Sequence, residues 1–225
     1  MTHKVGVVLS GCGFLDGSEI HEAVLTLLHL DRHGAEVVCM APRGAQLHVV
    51  DHARAAPEPS ASRDMFVESA RIARGKIRDL ATVHAADLDA VVMPGGFGAA
   101  KNLSDFATKG EAAVPHPEVA RLLREMHAAK KPIGAICIAP AVVAAALGRT
   151  AHPTLTIGTD AGTARALQAM GCQHRDCAVT DCVVDAANRV VTTPAYMCEA
   201  RLGEIGQGIG KLIDAVFAML AGQGR

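Results

Sequence analysis

KPIGAICIAPAVVAAAL, Lys131 to Leu147, decides the fold: a short apolar run, a cysteine, then a proline leading an alanine-rich run. Pro132 to Ile136 has the length of a buried strand, and Pro140 with the AVVAAAL that follows reads as the first turn and body of a helix. Cys137 therefore stands on a strand-to-helix turn. From position alone its thiol admits two readings. The unpaired amide N–H groups and the dipole at a helix start favour a thiolate. A cysteine is equally a residue that packs in an apolar interior.

Outward from this stretch, strands and helices alternate. Lys4 to Ser10 is a Val-rich strand, and Glu19 to His33 carries Ile20, Ala23, Val24, Leu27 and Leu28 at helical spacing, ended by Gly34. Ala35 to Pro42 is a second strand, and Leu47 to Asp51 a short extra strand or hairpin arm. Asp64 to Arg74 is a helix closed by Gly75, and Asp89 to Gly96 is a strand that runs into glycines. Pro117 to Ala129 is the helix leading back to the Cys137 strand. Beyond it come a strand at Leu155 to Ile157, a helix at Ala161 to Met170, a hairpin pairing CVVD with RVVTT across Ala186 to Asn188, and a closing helix from Gly203 to Leu220. The segment from Ala55 to Ser62 reads as an exposed loop. This order predicts one α/β domain over residues 1–225, a doubly wound, mostly parallel sheet of the flavodoxin-like sandwich kind with a nucleophile-elbow cysteine. The loops after the first strand, after Met93 and after Ile136 should meet beyond the carboxyl ends of the strands, where such folds bind ligands.

Composition agrees. Half of the 225 residues are apolar, 20% are charged and 3% aromatic, so Ala, Val, Leu and Ile must build the core, as in a helix-covered parallel sheet. A formal net charge of -1 gives no field to draw nucleic acid or an anionic membrane. The amino terminus lacks a signal-peptide apolar region, and the expected location is cytoplasmic. Seven scattered cysteines do not form a disulfide framework and are expected as thiols.

Several motifs point elsewhere on inspection. GCGFLDG, Gly11 to Gly17, follows a strand but lacks dinucleotide-fingerprint spacing, and the second strand ends in CMAP rather than an acid. Cys172, Cys177 and Cys182 recur five residues apart, not in the paired spacing of zinc sites, so no metal is expected. His116 to Glu118 reads as a helix start with Pro117 in the first turn. In SEIHEA, Ser18 to Ala23, Ser18 and the acids suit a cap, and Glu19 fits that role. Glu22 differs: its neighbours Ala23 and Val24 are assigned to the face that packs on the sheet, so a buried carboxyl there would have a raised pKa and could reach a thiol.

VVMPGGFGAAKNLS, Val91 to Ser104, followed by GAICIAP, Gly134 to Pro140, resembles the ThiJ/PfpI superfamily, whose fold is similar to class I glutamine amidotransferase domains. LSGCGFLDGSEIHEAVLTLL at the start, LTIGTD at Leu155 to Asp160 and VVTTPAYM at Val190 to Met197 are similar to the ElbB-type glyoxalases associated with isoprenoid biosynthesis. The resemblance implies that Cys137 is the nucleophile, that Glu22 is the acid facing it, and that backbone N–H groups of Gly96 and Ile138, the latter taken to open the helix, hold an oxyanion. It implies no cofactor and a small dicarbonyl substrate; the expected assembly is a homodimer. The histidine that follows the cysteine in protease-like members is Ile138 here, which counts against peptidase chemistry. A non-catalytic redox sensor or interaction module, with Cys137 oxidised against Glu22, and an amidohydrolase are the other readings the chain allows.

Overall fold

The computed structural model describes residues 2–222. Its strands are β1 (Lys4–Val8), β2 (Glu36–Ala41), β3 (Val50–Asp51), β4 (Ala56–Pro57), β5 (Arg78–Asp79), β6 (Ala90–Met93), β7 (Ile133–Ile136), β8 (Thr154–Leu155), β9 (Gln173–His174), β10 (Val183–Asp185) and β11 (Val190–Thr193). The α-helices are α1 (Ile20–Arg32), α2 (Met65–Ile72), α3 (Phe97–Lys101), α4 (Phe106–Lys109), α5 (Pro117–Ala128), α6 (Pro140–Ala151), α7 (Ala161–Ala169) and α8 (Leu202–Ala221). Seven strands form one sheet in the order β10-β11-β7-β6-β1-β2-β5, parallel throughout except at the β10–β11 hairpin. The expected α/β sandwich is what the chain forms. None of the described helices is long and apolar enough to cross a membrane.

Alternation along the strands feeds two cores. Val91 and Met93 of β6 point to the layer built by α5 and α6, and Ala90 and Val92 to the layer built by α1 and α8. The chain enters in mid-sheet, passing from β1 to β2 on one side and β6 on the other. That reversal makes the carboxyl ends of β1 and β6 the crevice of the fold.

Several details differ from the sequence reading, among them the short elements β5, β9, α3 and α4, which it did not place. Ala55 to Ser62 is not loop throughout, because Ala56–Pro57 pairs with Val50–Asp51. The α6 helix starts at Pro140 with Ala139 before it, so Ile138 lies in the turn and does not open the helix. The inward face of α1 is Glu22, Ala23, Thr26 and Leu30, whereas Ile20, Val24 and Leu28 are 43%, 51% and 40% exposed. Val24 therefore does not pack on the sheet, and Glu22 sits deeper than the apolar pattern implied.

Candidate active site

The sequence from Ile133 to Pro140 builds an elbow. Buried β7 ends at Ile136, and Cys137 takes φ 61°, a left-handed conformation a non-glycine residue adopts only under constraint. Its N–H donates to Thr193 O of β11 at 3.0 Å, and Ala139 N–H donates back to Ile136 O at 3.0 Å. The turn is thus fixed from both sides. The side chain points into a buried corner where Cys137 keeps 7% exposure. Its sulfur accepts from the backbone N–H groups of Gly96 and Ile138, which brings three of the four expected site residues together.

The fourth, Glu22, is fully buried and hydrogen-bonded to Cys137. Gly95 N–H donates to its Oε2 at 2.8 Å, and Tyr196 N–H to its Oε1 at 3.3 Å. Burial, then the charge of Glu19, push the Glu22 carboxyl up to about 8 against those two N–H groups and the thiol. At neutral pH it holds its proton.

The thiol does not behave as the helix-start argument alone suggests. Burial first, and then a negative charge on Glu22, push Cys137 up, while the Gly96 and Ile138 N–H groups pull it down. This corrects the picture of a free low-pKa thiolate. The two groups act as a pair: the sulfur ionises most readily while Glu22 is neutral, so the carboxyl proton and the thiolate belong together.

Two loops hold this pair. Glu19 N–H donates to Gly95 O at 3.0 Å, Gly98 N–H to Gly17 O at 2.8 Å and Phe97 N–H to Phe14 O at 2.7 Å, lacing the loop after β1 to the glycine loop after β6. Gly95 has no room for a side chain, since a Cβ there would lie 2.5 Å from Cys137 Cβ and 2.8 Å from Glu22 Oε2. Gly95→Ala should therefore force the pair apart and lower turnover about a hundredfold or more. Near-wild-type kinetics in that variant would show the spacing to be unimportant.

Glu19, not Ser18, is the cap of α1, its Oε2 accepting Glu22 N–H at 2.7 Å; the Ser18 hydroxyl instead accepts Ser10 N–H at 2.9 Å. Because the Glu19 charge raises Glu22, removing it lowers Glu22. The fall of activity at the alkaline end, as Glu22 ionises, should move to lower pH in Glu19→Gln. An unmoved or upward-shifted limb in a pH–rate profile would contradict this coupling.

Above the pair lies a cavity of about 800 Å³ lined by Phe14, Phe97, Phe106, Ile138, Tyr196 and Met197 among others. His21, also on its wall, has Nδ1 2.9 Å from the Tyr196 hydroxyl. Cys12 is not part of the lining; it sits within reach of the charges of Glu68 and Arg71. Among the described residues no three His, Cys, Asp or Glu side chains are placed to hold a metal ion. Sequence reasoning missed Gly95 and Tyr196. Tyr196, the single tyrosine in a chain with no tryptophan, was a visible signal.

A profile described as the DJ-1/PfpI family matches residues 12–197. The chain is 48% identical to the rat ES1 protein homolog, mitochondrial, over 96% of this chain and 84% of that one. It is also 48% identical to the human glutamine amidotransferase-like class 1 domain-containing protein 3, mitochondrial, over 96% and 83% respectively. Among solved structures it is similar to an Ehrlichia chaffeensis isoprenoid biosynthesis protein with an amidotransferase-like domain: TM-score 0.92, 41% identity, 97% of this chain and 100% of that one. The cytoplasmic location expected from the amino terminus is overturned by the two curated relatives, both of which are named as mitochondrial proteins.

Proposed function

The chain belongs to the DJ-1/PfpI family, which includes glyoxalases and proteases, and from that footing we propose that it is a glutathione-independent glyoxalase of the ElbB type. The observation that carries the reading is the buried Cys137–Glu22 pair beneath the Gly96 and Ile138 N–H groups. The thiolate adds to the aldehyde carbon of glyoxal, forming the S–C bond, and the developing oxyanion is stabilised by the two N–H groups. Neutral Glu22 protonates that oxygen, giving a hemithioacetal and leaving a carboxylate. The carboxylate takes the hydrogen from the same carbon and returns it to the neighbouring one through an enediol. Water then cleaves the thioester to the 2-hydroxy acid and restores the thiol, which passes its proton to the Glu22 carboxylate and so regenerates the starting pair. Deglycase activity on early glycation adducts would use the same groups.

Glycolate formation from glyoxal by freshly reduced protein without glutathione tests the reading. Glutamine hydrolysis with no glycolate would favour the amidohydrolase. Oxidation of Cys137 without turnover would favour the redox sensor. For the expected homodimer we assign the exposed α1 stripe of Ile20, Val24 and Leu28, whose i, i+4, i+8 spacing leaves one apolar face in water. Val24→Glu should turn the dimer into a monomer by light scattering, and an unchanged dimer would exclude that face.

A further inference from the structure

The space above Cys137 is far larger than a two-carbon dialdehyde needs. Its volume of about 800 Å³ falls among sites that hold ligands of many heavy atoms, roughly 300–1,000 Å³. Its walls also gather aromatic side chains out of a chain that has few. The sequence has 5 Phe, 1 Tyr and 0 Trp, and Phe14, Phe97, Phe106 and Tyr196 all face this one cavity. The fully buried core residues include no aromatic side chain, and Phe66, Phe106, Tyr196 and Phe217 pack only at the core margins.

These aromatics are held in place. Phe97 N–H donates to Phe14 O at 2.7 Å, Phe14 meets the His52 ring edge-on at 5.4 Å, and Lys101 Nζ stands 5.0 Å from the Phe97 centroid. Phe14 and Phe97 are each 47% exposed, leaving apolar rings in water that a ligand would cover. The charged side chains of the lining are the carboxylates Glu19 and Asp160; no lysine or arginine is among the lining residues, and Lys101 Nζ is turned to Leu15 O at 3.0 Å. The walls suit an uncharged apolar group, and the one side chain there that could carry a positive charge, His21, already faces the Tyr196 hydroxyl at 2.9 Å and Glu19 Oε1 at 3.8 Å.

We propose that the site takes an uncharged 2-oxoaldehyde whose ketone carbon bears an aromatic or branched apolar group, with phenylglyoxal as its simplest representative. This rests on the glyoxalase reading. Cys137 bonds to the aldehyde carbon, Glu22 protonates its oxygen and moves that carbon's hydrogen to the ketone carbon, and water cleaves the S–C bond to release mandelate. No oxidant or reductant enters.

The test compares kcat/KM for glyoxal, phenylglyoxal and 4-carboxyphenylglyoxal. Phenylglyoxal should exceed glyoxal by about tenfold or more, the carboxylated analogue should fall about tenfold below phenylglyoxal, and Phe106→Ala should shrink the phenylglyoxal-to-glyoxal ratio about tenfold. Glyoxal turned over as well as phenylglyoxal would overturn the apolar specificity and leave the glyoxalase reading standing. A second arm uses Cys137→Ala, in which emission of the lone Tyr196 reports occupancy by cyclohexanone. Cyclohexanone binding without turnover of any dicarbonyl by the unmodified protein would sink the glyoxalase reading and retain an apolar site. No binding and no turnover would overturn both.

Discussion

Cys137→Ala should abolish glycolate formation from glyoxal, lowering kcat/KM by at least about three orders of magnitude. Every proposed step either forms or breaks the bond to this sulfur or acts on the substrate it holds, and Cys137 is the only cysteine among the described residues that line the cavity. The fold should survive. Removing the sulfur leaves the elbow hydrogen bonds intact, because Cys137 contributes its backbone N–H to Thr193 O. Losing the thiol, which lowers the Glu22 carboxyl, pushes Glu22 further up, so it remains neutral and tolerably buried. A variant with wild-type thermal unfolding and unchanged turnover would remove Cys137 from the chemistry.

Glu22→Gln should lower glyoxal turnover by about two orders of magnitude or more, since an amide cannot shuttle a proton. Its stability should move the other way. Glu22 takes up a proton on folding, its carboxyl rising from its ordinary 4.5 to about 8. An acid shifted upward costs stability as pH climbs between those two values, because the unfolded chain ionises first. At pH 7 that cost is on the order of 3 kcal/mol, less whatever the amide loses opposite the Gly95 or Tyr196 N–H. Glu22→Gln should accordingly lack most of the wild-type decline in stability between mildly acid and neutral pH, as read by denaturant unfolding. A destabilised variant with the same pH slope would mean that Glu22 is ionised in the fold and serves structure.

Why the sequence misjudged α1 follows from the same residues. Ile20, Val24 and Leu28 look like a packing stripe, yet Glu22 and Thr26 occupy inward positions that pattern alone would give to apolar side chains. A buried carboxyl breaks the amphipathic pattern at that point. The elbow was legible because its parts are local: a strand, a cysteine and a proline within a few residues. The sheet was legible for the same reason, through short buried runs and their punctuation. Gly95 and Tyr196 were not, because their roles arise from long-range contacts with Glu22 across separate loops. The thiol's upward shift was hidden likewise, since it depends on burial and on the Glu22 charge rather than on the helix start.

The central claim is that glyoxal is attacked by Cys137 before Glu22 moves a proton. Peptide mass spectrometry of Glu22→Gln protein treated with glyoxal tests it most directly, because addition precedes the blocked step. The adduct should lie on the peptide containing Cys137 and be absent from a Cys137→Ser, Glu22→Gln double variant. An adduct on Cys12, or on lysine and arginine side chains with Cys137 unmodified, would contradict it.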